Sequence, residues 1–160
     1  MRIYLIGMPG CGKSSVGKKL AEKLNYKFYD LDTEIEKEAM MFIPEIFDKF
    51  GEEFFRILES KVLDKMNNED DIVVATGGGI IKNKSNKDLM NGKKIYITAD
   101  LDKISERCEN DNQNERPLLQ TKSIYDLYNE RHELYDYFKD IEVVNDNVDK
   151  CVKEIIKKIK

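Results

Sequence analysis

Short apolar runs alternate with longer amphipathic segments along most of the chain. The runs are rich in β-branched and aromatic residues, as buried strands are, and they cover residues 2–6, 26–29, 71–75, 94–98 and 141–144. Strands that alternate with helices, without an internal repeat or a linker, predict a parallel sheet. We therefore expect an α/β fold: a three-layer, doubly wound sheet of five parallel strands with helices on both faces, built from residues 1–160 as a single domain.

Segments with helical periodicity lie between the predicted strands. The first should end near Asn25, and the longest, residues 33–68, should be broken at Pro44 and at Gly51. The other helices are predicted from about residue 85 and over residues 101–108, 123–138 and 148–159. Residues 109–119 are polar and non-periodic, which predicts a mobile loop.

A glycine-rich stretch, residues 7–14 (GMPGCGKS), follows the first predicted strand and opens the first predicted helix. It matches the phosphate-loop pattern in every fixed position, so its backbone amides should turn inward around a phosphate at the helix N-terminus. Lys13 would then reach the β- and γ-phosphates, and the Ser14 hydroxyl would ligate Mg²⁺. The alternative, a turn that binds nothing, is disfavoured by this strand-to-helix context.

Two aspartates, Asp30 and Asp32, follow the second predicted strand. Ligands of open parallel sheets bind beyond the carboxyl ends of the strands, so both should lie near the phosphates. Asp30 could hold Mg²⁺ through water, and Asp32 could orient a substrate hydroxyl or accept its proton. Alternatively, one of them caps the helix that begins near Thr33.

Three consecutive glycines, Gly77, Gly78 and Gly79, follow the third predicted strand. They would let the backbone approach a ligand closely, although a plain flexible turn is the alternative. The predicted loop of residues 109–119 carries Arg116 beside the phosphate site. Such a loop has the composition of a lid that closes a guanidinium over the transferring phosphoryl group, and a disordered surface connection is the alternative.

Arg131 interrupts an apolar stripe in the helix predicted over residues 123–138. The stripe consists of Ile124, Leu127, Tyr128, Leu134, Tyr135 and Phe138. A guanidinium that points into the protein needs an anion, either an internal carboxylate or one on a substrate. His132, the only histidine, should be solvated, and Arg56 reads from its pattern as a surface residue.

The composition narrows the function without defining it. The net charge of -4 gives no electrostatic reason to expect nucleic acid, and no apolar run reaches membrane-spanning length. No signal-peptide pattern precedes the first strand, so we expect a cytoplasmic protein. The three cysteines lack metal-ligand spacing. Cys11 lies in the phosphate loop, where alkylation of its thiol could block nucleotide binding; the favoured alternative is a small residue that fits.

Several motifs occur together in a specific order, and they cover essentially the whole chain. They are residues 7–14 (GMPGCGKS), 30–32 (DLD), 45–47 (EIF), 51–59 (GEEFFRILE), 77–79 (GGG), 116–119 (RPLL) and 129–131 (NER). In this combination the chain resembles the shikimate kinases, which belong to the nucleoside monophosphate kinase-like branch of the phosphate-loop kinase fold. The resemblance implies Mg²⁺-dependent transfer of the ATP γ-phosphoryl group to the 3-hydroxyl of shikimate.

The resemblance also implies roles for individual residues. Asp32 would bind the ring hydroxyls and act as base, while Arg56, Arg131 and the backbone of residues 77–79 hold shikimate, with Glu59 orienting Arg56. Lys13 and Arg116 would stabilise the phosphoryl group. Residues about 33–61 would bind the substrate, and residues about 109–119 would form the lid. The predicted nucleotide contacts are Gly10, Cys11, Gly12, Lys13, Ser14, Ser15, Arg107 and Arg116, and the predicted Mg²⁺ ligands are Ser14 and Asp30. A monomer is expected from the resemblance and the size.

Two segments depart from the family pattern. Residues 40–44 (MMFIP) replace a stretch that is commonly more polar and contains glycine, and residues 145–147 (NDN) lack the basic residue often found near the adenine. The base contact would then rest on Arg107 and backbone. Kinases of gluconate or of nucleoside monophosphates are alternative readings. A nucleotide-dependent switch is disfavoured, because no Asn-Lys-x-Asp motif is present and a switch needs no pair of site arginines.

Overall fold

The computed structural model of the chain describes residues 1–110 and 123–160, with the backbone alone for residues 108–110. Its strands form one sheet: Arg2–Ile6 (β1), Lys27–Asp30 (β2), Ile72–Ala75 (β3), Lys93–Thr98 (β4) and Ile141–Val144 (β5). Their order is β2-β3-β1-β4-β5, and every neighbouring pair is parallel. The predicted five-stranded parallel sheet is confirmed.

Helices cover both faces of this sheet. They are Lys13–Leu24 (α1), Leu31–Ala39 (α2), Ile43–Lys65 (α3), Asn86–Leu89 (α4), Leu101–Asn110 (α5), Ile124–Phe138 (α6) and Val148–Ile159 (α7). Successive strand side chains point to opposite faces, yet residues 3–6 and 72–75 are all at most 3% exposed. The two central strands are therefore buried on both sides, as a doubly wound sheet requires. None of the helices that the structure describes combines the length and apolar character needed to cross a bilayer.

The helix boundaries follow local chemistry. α1 ends at Asn25, whose left-handed backbone (φ 58°) caps it where predicted. Pro44 lies in the first turn of α3, where its missing N–H is not needed, so the predicted break falls at residues 40–42. Gly51, with φ 85°, divides α3 internally as predicted.

Three predicted boundaries were wrong. α2 begins at Leu31, two residues before Thr33, because Asp30 is its N-cap. The helix predicted from about residue 85 is only the single turn Asn86–Leu89. α5 continues to Asn110, so residues 109–110 are helical rather than the start of a loop. The remainder of the predicted lid, including Arg116, lies outside the described residues.

The parallel arrangement gathers the segments that follow each strand at one edge of the sheet. The phosphate loop follows the central strand β1, and the glycine triplet follows its neighbour β3. Asp30 ends β2, and Asn145 directly follows β5. Four segments that follow strands thus frame one cleft, together with residues from α3, α5 and α6.

Candidate active site

The cleft at the carboxyl edge of the sheet has a volume of about 520 Å³. Thirteen of the predicted site residues line it: Gly10, Gly12, Lys13, Ser14, Ser15, Asp30, Asp32, Arg56, Gly77, Gly78, Gly79, Arg107 and Arg131. Within the described residues, Cys11 is the only predicted site residue that the cleft does not include. The prediction therefore brought together residues that lie far apart in the sequence.

Lys13 occupies the phosphate-loop end of the cleft. Its side chain is buried, and Nζ donates to the carbonyl oxygens of Gly7 at 2.6 Å and of Met8 at 3.0 Å. The ammonium is thus held at the N-terminus of α1, where the first backbone N–H groups have no partner within the helix. Both features attract an anion, so this end of the cleft is built to receive phosphate.

Cys11 does not line the cleft, and its role in nucleotide binding stays a prediction. Its side chain is fully buried, and its backbone N–H donates to the carbonyl of Met8 at 3.2 Å. Neither group faces the cleft, because the loop uses both for its own packing. The structure favours a small residue that fits, and a reagent has no access to the thiol in this conformation.

Ser14 and Asp30 meet at the same end of the cleft. The Ser14 hydroxyl donates to Asp30 Oδ2 at 2.9 Å, while Asp30 Oδ1 accepts from the N–H groups of Asp32 and Thr33. Asp30 therefore both caps α2 and contacts Ser14, so capping the helix does not prevent this aspartate from taking part in a metal site. Among the described residues there is no cluster of three or more metal-ligating side chains. One hydroxyl and one carboxylate fit Mg²⁺, which keeps several waters and binds substrate phosphates.

Asp32 lines the same cleft two residues after Asp30. Burial and, to a smaller extent, the neighbouring charge of Asp30 raise the pKa of this carboxyl to about 6, against the opposing effect of Lys13 and Arg56. A carboxylate with a pKa this close to neutrality is a better proton acceptor than an exposed aspartate. This is the electrostatic setting that a general base needs.

Arg56 belongs to a chain of ion pairs at the other end of the cleft. NH1 donates to Glu59 Oε1 at 3.1 Å, and Nε donates to Glu52 Oε2 at 3.3 Å. Lys82 also donates to Glu52, at 2.7 Å. The helical pattern alone predicts a surface position for Arg56, because it does not show the cleft. The structure places Arg56 at the cleft, and its contact with shikimate stays a prediction from the resemblance. Its pairing with Glu59 is confirmed.

Gly79 gives Arg56 the room it occupies. A Cβ atom on Gly79 would lie 2.5–2.8 Å from three atoms of the Arg56 guanidinium. The glycine triplet thus leaves space for the Arg56 side chain in addition to any ligand, which the sequence does not show. A residue larger than glycine here would force the guanidinium of Arg56 to shift.

Glu59 is almost completely buried beside Arg56. Burial raises the pKa of its carboxyl to about 7, although Arg56 acts in the opposite direction. Its Oε2 atom has no hydrogen-bond partner within the described residues. This carboxylate therefore holds Arg56 with one oxygen and leaves the other unsatisfied.

Arg131 lies in the middle of the buried face of α6, as the interrupted stripe predicts. Its side chain is 2% exposed, and Nε and NH2 are buried without a hydrogen-bond partner in the described part of the chain. Tyr135, one turn further along, donates its hydroxyl to the carbonyl of Gly78. His132 is half-buried and stacks on Tyr128 rather than facing the cleft. Arg131 therefore lines the cleft with a guanidinium whose hydrogen bonding is incomplete within the described residues.

Sequence reasoning missed other residues of the cleft. Ile43, Phe47, Phe55 and Leu127 add an apolar wall, and Asn145 adds a polar group beside the phosphate loop. Asn145 directly follows β5, so the rule that singled out Asp30 at a strand end could also have identified it. The apolar residues gave no such signal, because they share the pattern of ordinary core positions.

The fold and the cleft define a class of protein. A phosphate loop faces a buried carboxylate and two arginines across one cavity, which is the arrangement of a phosphate-loop kinase with a small acceptor. The family model described as "Shikimate kinase" matches residues 9–160. The chain belongs to the shikimate kinase family, whose members are ATP-dependent kinases.

Individual relatives agree with this assignment. A shikimate kinase of Sulfurihydrogenibium sp. is 41% identical, over 99% of this chain and 97% of the relative. One from Aquifex aeolicus is 39% identical, over 98% of this chain and 94% of the relative. The solved structure of an Acinetobacter baumannii shikimate kinase in complex with shikimate superimposes with a TM-score of 0.92 at 32% identity, covering 99% of this chain and 92% of that one.

Proposed function

We propose that this chain transfers the γ-phosphoryl group of ATP to the 3-hydroxyl of shikimate, giving shikimate 3-phosphate and ADP for chorismate and aromatic amino acid biosynthesis. The observation that carries this proposal is the buried guanidinium of Arg131, two of whose nitrogens have no hydrogen-bond partner among the described residues, in a cleft that begins at a phosphate loop. Such a group is costly unless a ligand supplies the anion. A substrate carboxylate, bound by two guanidinium N–H donors, provides it.

Each end of the cleft has its own task in the proposed reaction. Arg131 and Arg56 bind the carboxylate of shikimate, and the backbone of residues 77–79 lies against its ring. Lys13 exchanges its loop carbonyls for phosphate oxygens and neutralises their charge. Holding donor and acceptor in line accounts for most of the catalysis, because phosphoryl transfer needs no covalent enzyme intermediate.

Asp32 is the proposed base. As the 3-hydroxyl oxygen attacks the γ-phosphorus, the bond between that phosphorus and the bridging oxygen of ADP breaks, and the hydroxyl proton passes to the Asp32 carboxylate. The raised pKa of Asp32 suits this transfer. Arg116, which the resemblance assigns to the phosphoryl group, remains a proposal because it lies outside the described residues.

Ser14 and Asp30 are the groups that would hold Mg²⁺, the hydroxyl directly and the carboxylate through water. When bound, the metal neutralises developing charge on the phosphate oxygens. Their hydrogen bond holds the hydroxyl and the carboxylate together at the phosphate-loop end of the cleft.

A monomeric, cytoplasmic enzyme without nucleic-acid or membrane partners is part of the proposal. One copy of the chain lines both ends of the cleft, so no second copy is needed to complete it. The net charge of -4 supports no polyanionic partner.

Release of ADP with three acceptors, measured side by side, tests the proposed substrate. Shikimate, gluconate and a panel of nucleoside monophosphates should each be supplied with ATP and Mg²⁺. We expect turnover with shikimate alone, since its carboxylate matches the two arginines. Faster turnover with gluconate or a nucleoside monophosphate would overturn the acceptor while leaving the kinase class intact.

A further inference from the structure

Asn145 joins the last strand of the sheet to the phosphate loop. It is 5% exposed, and its side-chain Nδ2 donates to the carbonyl oxygen of Cys11 at 2.9 Å. Its own backbone N–H donates to the carbonyl of Thr98, at the end of β4, at 2.7 Å. The backbone of Asn145 is therefore held by the sheet, and its side-chain amide is hydrogen-bonded to the middle of the phosphate loop.

This bond also sets the direction of the next amide. A peptide group is planar and trans, so its C=O and N–H point in opposite directions. With the Cys11 carbonyl directed at Asn145, the Gly12 N–H must point away from Asn145, at the N-terminus of α1. A carbonyl without this donor would be free to turn toward the anion and repel it.

The packing around Gly12 shows how closely the two segments fit. Gly12 has a left-handed backbone (φ 94°), and a Cβ atom placed on it would overlap the Asn145 amide. The glycine that the phosphate-loop pattern requires therefore serves a second purpose in this chain, because it admits Asn145. Neither segment can shift without breaking this contact.

We propose that Asn145 is a positioning residue for nucleotide binding, which holds the phosphate loop in its anion-receiving shape through the Cys11 carbonyl. This proposal depends on the proposed function in one respect: it takes the anion bound by the loop to be the phosphate groups of ATP. It acts on the loop and leaves the acceptor end of the cleft unchanged. If the loop has the binding-competent shape in only a fraction of the molecules, the apparent affinity for nucleotide is reduced to that fraction of its full value.

Two variants separate the hydrogen bond from other effects. Asn145→Asp keeps the shape but replaces the donor with a carboxylate, and Asn145→Ala removes the donor without adding charge. Asn147→Ala is the matched control: Asn147 lies in the same loop and caps α7 by accepting from the Lys150 N–H, but it does not line the cleft. The control should lose stability without losing nucleotide affinity.

Calorimetric titration of ADP and of shikimate into each variant, with thermal unfolding, provides the test. We expect the ADP dissociation constant to rise about tenfold or more in both Asn145 variants, because a buried acceptor loses its donor. The KM for ATP should rise with it, while shikimate affinity stays within twofold of the wild type. Asn145→Ala keeps the comparison available should the buried carboxylate of Asn145→Asp prevent folding.

Two results would overturn the role of Asn145. One is an ADP affinity within twofold of the wild type in the Asn145 variants that fold. The other is an equal loss of ADP affinity in Asn147→Ala, which would reduce the effect to general stability. Neither result concerns the acceptor substrate. The proposed function would instead be contradicted if the wild-type enzyme failed to phosphorylate shikimate, and that outcome would leave the role of Asn145 in nucleotide binding unaffected.

Discussion

Replacing Arg131 with methionine tests the acceptor end of the cleft most directly. Methionine has a similar length and no polar atoms, so the change removes the guanidinium without leaving a large cavity. Nε and NH2 of Arg131 have no partner among the described residues, so removing these two nitrogens breaks no hydrogen bond to the described part of the chain. The substitution should therefore act on substrate binding rather than on folding.

The expected magnitude follows from this geometry. Truncating one partner of a buried charge pair costs roughly 2–5 kcal/mol. Shikimate affinity should then fall roughly thirtyfold to several thousandfold, since each 1.4 kcal/mol is about a factor of ten. The free energy of unfolding should stay the same or rise, because the variant no longer buries two unpaired nitrogens.

Calorimetric titration of shikimate and of ADP, together with thermal unfolding, measures both parts of the prediction. Arg2→Met is the matched control, because Arg2 begins β1 at the opposite edge of the sheet and pairs with Asp70 at 2.8 Å. It should leave both affinities unchanged. Shikimate affinity within twofold of the wild type in Arg131→Met would refute the carboxylate site, and so would an equal loss of ADP affinity.

Four further predictions concern single groups of the cleft. Asp32→Asn should lower turnover on the order of 10²–10⁴-fold with little change in ADP affinity, and wild-type turnover should rise with pH through about 6 as Asp32 ionises; a pH–rate profile that is flat from pH 5 to 7 contradicts this. Glu59 has its pKa raised to about 7, so its contribution to stability is present at low pH and lost as pH rises from about 4.5 to 7. Glu59→Gln should therefore gain roughly 2 kcal/mol relative to the wild type between pH 5 and 8, measured by denaturant unfolding, and a constant difference would argue against the raised pKa. Gly79→Ala should displace Arg56 and weaken shikimate binding about tenfold while ADP binding persists, and unchanged shikimate titrations would show that the arginine has room to move. Ser14→Ala should raise the Mg²⁺ concentration needed for half-maximal turnover; an unaltered Mg²⁺ titration would remove the hydroxyl from the metal site.

The sequence predicted the nucleotide end of the cleft better than the acceptor end. The phosphate loop is one contiguous motif, so its preceding strand, its turn and the start of its helix can all be predicted from the first fifteen residues. Arg131 could also be identified from the sequence, because a charged residue inside an apolar helical stripe is unusual. The site position of Arg56 could not be identified from the helical pattern. Glu52, four residues before it, and Glu59, three residues after it, make it resemble a surface residue with ion-pair partners on its own helix.

Tertiary contacts account for most of what the sequence could not show. The approach of Gly79 to Arg56 and of Asn145 to Gly12 joins segments that are distant along the chain. No pattern of hydrophobic and polar positions encodes which side chain will occupy the space above a glycine. The burial of Cys11 is similar, because the same loop motif is compatible with a thiol facing either the core or the cleft.

Unsatisfied polar atoms concentrate where the proposed acceptor binds. In the described part of the chain, four buried side-chain nitrogen or oxygen atoms lack a hydrogen-bond partner, and three of them belong to Glu59 and Arg131. Each such atom costs about 1–3 kcal/mol, a large amount for a domain of this size. A ligand carboxylate at Arg131 would relieve part of this cost, so the same groups that weaken the free protein supply the affinity for its substrate. Stability and acceptor binding are thus opposed at this end of the cleft, whereas at the phosphate loop, where Lys13 already donates to two carbonyls, they are not.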